Sequence, residues 1–90
     1  MAAELTGPVR DLLAAVAAAL DIPLPSIQRG DEQAYHQLLE RRTSQVRIDL
    51  LALLDEAEPD LVFEAAFLEK HTAAAPVTYT PFEPAKAGDA

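Results

Sequence analysis

The 90-residue chain predicts an all-α fold: three helices with a long central one, followed by an extended, proline-rich C-terminal tail. Three observations carry that prediction. Asp31 to Glu58 holds neither glycine nor proline, apolar residues recur at helical spacing on either side of it, and prolines gather after Thr72. A helix over 31–58 would be about 40 Å long, so other segments or a second copy must cover it.

The first helix is expected over about residues 6–20. Thr6 can cap it, and Pro8 suits a first turn, where its missing N–H has no partner to lose. Val9, Leu12, Leu13, Val16 and Leu20 form one face, while Ala14, Ala15, Ala18 and Ala19 occupy much of the other. Asp21-Ile22-Pro23-Leu24-Pro25 then forces an extended connection, because residues before proline avoid the helical region.

The central helix, 31–58, opens at Gly30-Asp31 with Asp31 as its N-cap. Its apolar stripe runs Tyr35, Leu38, Leu39, Val46, Leu50, Leu53, Leu54 and Ala57. Ile48 and Leu51 lie off that stripe, so contact from two sides is expected. Pro59 ends this helix and starts the third, over about 59–71. There Leu61, Ala65 and Leu68 make one face and Phe63, Ala66 and Phe67 another. Residues 1–71 are thus the helical domain and 72–90 the tail, with disorder expected beyond Lys86.

Composition narrows the function. Eighteen of the residues are alanine, which favours helix but buries little surface, so a chain of this size has a marginal core. Without cysteine there is no disulfide or thiolate metal site, and self-association is the remaining reinforcement. A net charge of −8 disfavours nucleic acid and anionic membrane surfaces. The apolar run Leu12 to Leu20 is too short to span a bilayer and lacks a basic leader. A cytoplasmic protein is expected.

Chemistry-bearing constellations are scarce. Glu32, His36 and Glu40 share one side of the central helix at i, i+4 spacing, which offers a metal-binding helical protein as a distant alternative. Ligands from a second helix, such as Glu64 or His71, would have to converge on them. Ser26 stands in a Pro-Ser-Ile string, without the Asp-Ser-Leu context of a phosphopantetheine attachment site. Glycines 7, 30 and 88 are isolated, and no base neighbours Ser26 or Ser44. No enzyme activity, cofactor or resident metal is expected.

Two charges are out of place. Arg42 and Asp49 fall within the apolar stripe, and Arg41, Arg42 and Arg47 all lack an acid three or four residues away. At about 100° per residue the three arginines point in separate directions, which rules out one phosphate-binding stripe. An antiparallel homodimer pairing Arg42 with Asp49 of a second copy would satisfy both charges. Its interface would comprise Leu38, Arg42, Val46, Asp49, Leu50 and Leu53.

The expected function is therefore a small acidic protein–protein interaction or assembly module, self-associating through the long helix. An acidic inhibitor or antitoxin-like protein that neutralises a basic partner is the alternative. In the tail, Val77, Tyr79 and Phe82 are spaced to dock on a partner or to lie across the chain's own helices.

Overall fold

A computed structural model describes residues 7–83 as three α-helices: α1 Gly7–Leu20, α2 Asp31–Asp55 and α3 Leu61–Ala73. The all-α class and the long central helix are as the sequence predicts. The Thr6 cap and the residues beyond Glu83 lie outside the described range. No described helix is long and apolar enough to cross a membrane.

Three boundaries differ from expectation, each for a local reason. α2 stops at Asp55 rather than Glu58, with Glu56 already extended (φ −92°, ψ 137°). Asp55, Glu56 and Glu58 would set negative charge against the negative end of the helix dipole, and Pro59 bars residue 58 from helical geometry. Asp60, not Pro59, starts α3: its Oδ1 accepts a hydrogen bond from the Phe63 amide at 3.0 Å. The cap of α2 is Gly30, whose φ of +94° lies in the left-handed region that glycine tolerates. Asp31 is instead the first helical residue, and its Oδ2 accepts from the Ser26 hydroxyl.

α1 and α3 pack most extensively against each other. The contact is made by alanine: Ala15 and Ala19 of α1 are buried with Ala65 and Leu68 of α3 and Val46 of α2. Leu12 and Val16 flank that cluster, whereas Leu13 and Leu20 are exposed. The buried face of α1 is thus rotated toward its small residues, which let two helix backbones approach closely.

A second cluster covers the first half of α2. Leu38, Ala75 and Tyr79 are buried, with Ile22, Tyr35 and Val77 packed around them. The segment after α3 returns across the proline linker to build it. Ser26 N–H donates to Thr80 O at 2.8 Å and Phe82 N–H donates to Leu24 O at 2.7 Å, around an antiparallel bridge between Pro25 and Pro81. The Tyr79 hydroxyl closes the strap by donating to Pro23 O. Pairing extended segments in this way satisfies backbone groups that neither could satisfy alone.

Candidate functional site

α2 is the element on which function was expected, and the structure divides its surface in two. On the inner side Leu38, Arg42, Val46, Asp49 and Leu53 are all buried within one chain. Leu50, the sixth residue of the expected interface, is partly exposed. The predicted seam is therefore already covered by α1, α3 and the strap, and a second copy has no access to it in this fold.

Arg42 (8% exposed) finds backbone partners instead of a carboxylate. Its Nε donates to Ala75 O at 3.0 Å and one terminal nitrogen to Ala19 O at 3.4 Å. The guanidinium thus touches both hydrophobic clusters and ties the end of α1 to the start of the strap. Among the described residues it forms no salt bridge. A buried cation served only by neutral acceptors is costly, and the fold retains it where three elements meet.

Asp49 (5% exposed) is also held without a cation. Gln45 Nε2 donates to its Oδ1 at 2.9 Å, while Oδ2 is buried with no partner. Across the α2–α3 contact, Glu64 Oε2 is likewise buried and unpartnered. Burial, followed by the charges of Asp49, Glu56 and Asp60, pushes the Glu64 carboxyl above its ordinary value of 4.5. The two stranded charges of the sequence thus settle differently: Arg42 on carbonyls, Asp49 facing a second acid.

On the outer side of α2, Ile48, Leu51 and Leu54 are exposed by 57%, 49% and 82%. An open groove of about 440 Å³ reaches Ile48 from the N-terminal side, lined by Gln37, Glu40, Arg41, Ser44, Gln45 and Ile48. Arg41, Arg47 and Asp55 border this face, and none forms a salt bridge among the described residues. α3 adds a ladder in which Phe63 stacks on Phe67 and Phe67 meets the edge of His71, with ring centres 5.9 and 4.4 Å apart.

The remaining sequence candidates separate. Tyr79 is buried and Val77 half-buried under the chain's own helices, while Phe82 is half-exposed at the strap's edge. His36 Nε2 lies 3.7 Å from Glu32 Oε1 on the helix surface. Among the described residues no group of three or more histidines or acids is placed to hold a metal ion. Sequence reasoning missed the role of Ala75, whose carbonyl has no side-chain signal. The groove beside Ile48 was foreshadowed only by the apolar residues standing off the main stripe. Compared with protein-family models, curated proteins and solved structures, the chain matches none.

Proposed function

We propose that this protein is a small interaction module that self-associates through the outer face of α2. The exposed Ile48, Leu51 and Leu54 on a helix whose other side is filled by its own chain carry the reading. Surface of that kind on a small monomer marks a contact site.

The charges favour a second copy as the occupant. With two α2 helices antiparallel about a two-fold axis at Ile48, Ile48 meets its own counterpart and Arg41 lies beside Asp55 of the other chain. In the same register Leu51 reaches the groove between Ser44 and Ile48 of the other copy. Arg41 and Asp55 each lack an opposite charge at helical spacing within their own chain, so pairing across the axis serves both.

Sedimentation of the wild type, Ile48→Glu, Arg41→Asp, Asp55→Arg and the Arg41→Asp/Asp55→Arg double variant tests this. The wild type should be dimeric, Ile48→Glu monomeric, each charge variant weaker, and the double variant restored. A wild type that stays monomeric across the micromolar range overturns the reading.

A second reading has its own observation. Asp55, Glu56, Glu58 and Asp60 crowd the exposed turn between α2 and α3, the acidic corner that a basic partner would recognise. Binding through that corner would weaken steeply with salt, whereas the apolar two-fold contact would not.

A further inference from the structure

α3 runs back beside α2 and brings a second uncovered surface to the same side of the molecule. The charge of Asp49 acts on Glu64, and a cavity of about 20 Å³ is lined by Arg41 and Gln45 of α2 with Leu68 and Thr72 of α3. In that alignment Ala65 lies level with Ile48. Val46 and Ala65 are buried together against Ala15 and Ala19 of α1. Ile48 stands two residues from Val46, and Phe63 and Phe67 each stand two residues from Ala65, about 160° round their helices. Both faces therefore turn away from α1. On the α3 face Phe63 and Phe67 are 60% and 36% exposed, flanked by the exposed Asp60 and Lys70.

We infer that the second copy also covers α3, so that the α2–α3 pair of one protomer lies on that of the other as a four-helix bundle about a single two-fold axis. This rests on the self-association proposed above and adds to it an aromatic contact and a second charge pair. Ile48 is midway between Arg41 and Asp55, the residues paired across the axis on α2. Ala65 is midway between Phe63 and Phe67, and equally between Asp60 and Lys70. An axis level with Ile48 and Ala65 thus sets Phe63 against Phe67 of the second copy and Asp60 against its Lys70, each contact made twice. The α2 charges alone place the axis, and the α3 charges match about it independently.

Asp60 and Lys70 have no opposite charge three or four residues away and, among the described residues, no salt bridge. The hydrogen bond from the Phe63 amide leaves the Asp60 carboxylate its charge. Adding α3 widens the contact from one helix to two, toward the roughly 800 Å² per partner of a stable interface.

The chain has no cysteine, so single introduced cysteines report the register. Ile48→Cys, oxidised with copper phenanthroline, should form a covalent dimer, which reads the α2 contact. Equal amounts of Phe63→Cys and Phe67→Cys, oxidised together, should give the mixed disulfide dimer well beyond the statistical ratio to either like-with-like dimer. Lys70→Glu sets like charges together twice and should weaken the sedimenting dimer about tenfold, with helix content by circular dichroism unchanged. If Ile48→Cys cross-links but the mixed dimer shows no excess, the α2 contact stands and the bundle is overturned. A Lys70→Glu dimer as tight as wild type overturns it too. If wild type is monomeric and Ile48→Cys does not cross-link, self-association itself fails, and this inference with it.

Discussion

Arg42 donates from Nε to the carbonyl of Ala75 at 3.0 Å, across 33 residues of chain. That bond explains how a charge can stand in an apolar stripe without a carboxylate beside it. The guanidinium's donors meet the Ala19 carbonyl in the last turn of α1, where helical carbonyls lack intrahelical partners, and the Ala75 carbonyl just beyond α3.

Arg42→Met keeps most of the stem's packing and removes both charge-assisted bonds. It should cost about 2–3 kcal/mol, since the carbonyls of Ala19 and Ala75 lose their donors inside the protein. Urea denaturation followed by circular dichroism measures the loss. A variant as stable as wild type would show that the guanidinium's bonds contribute nothing net.

Glu64 gives a pH dependence of defined sign. Its carboxyl is raised above 4.5 by burial first and by Asp49, Glu56 and Asp60 next, so the fold holds the proton more tightly than the unfolded chain does. The stability it contributes is complete below 4.5 and is lost as pH rises through the folded-state value. Glu64→Gln should therefore be more stable than wild type at pH 7, with the difference closing toward pH 4.5. Paired denaturation curves at the two pH values check this.

Tyr79→Phe removes the hydrogen bond to Pro23 O and should cost about 1 kcal/mol at neutral pH. Burial, with Tyr35 adding and Arg42 opposing, raises the Tyr79 phenol above its ordinary value of 10.0. Its contribution is intact below pH 10 and is lost as pH climbs through the raised value. The alkaline unfolding limb of the phenylalanine variant should be correspondingly shallower, as read by far-ultraviolet circular dichroism.

Asp60→Ala deletes the side-chain cap of α3 and leaves the Phe63 amide without its acceptor. A loss of about 1 kcal/mol is expected, and Asp60→Asn should recover most of it. Thermal melts of the three proteins decide the matter.

Much of this architecture could be read from spacing alone. Leu38, Arg42, Val46, Asp49 and Leu53 recur at three- and four-residue intervals, and the structure buries all five. Spacing says which side of a helix is covered but not what covers it. The cover came from Ala15 and Ala19, which spacing assigned to the side of α1 away from its larger apolar residues, and from a backbone carbonyl that leaves no trace in side-chain pattern. The end of α2 was hidden for a similar reason. Glu56 and Glu58 are good helix formers in isolation, and only their place beside Asp55 and before Pro59 turns them against the helix.

Two separate apolar clusters touched by one guanidinium also set how the molecule should come apart. The strap can peel from α2 while the alanine-lined helices stay closed, which makes it a distinct opening unit. Amide exchange at Ser26 and Phe82 would then outpace that of Leu68 and share one rate. That opening belongs to native conditions, below the melting range, with Arg42 at the junction of the two clusters.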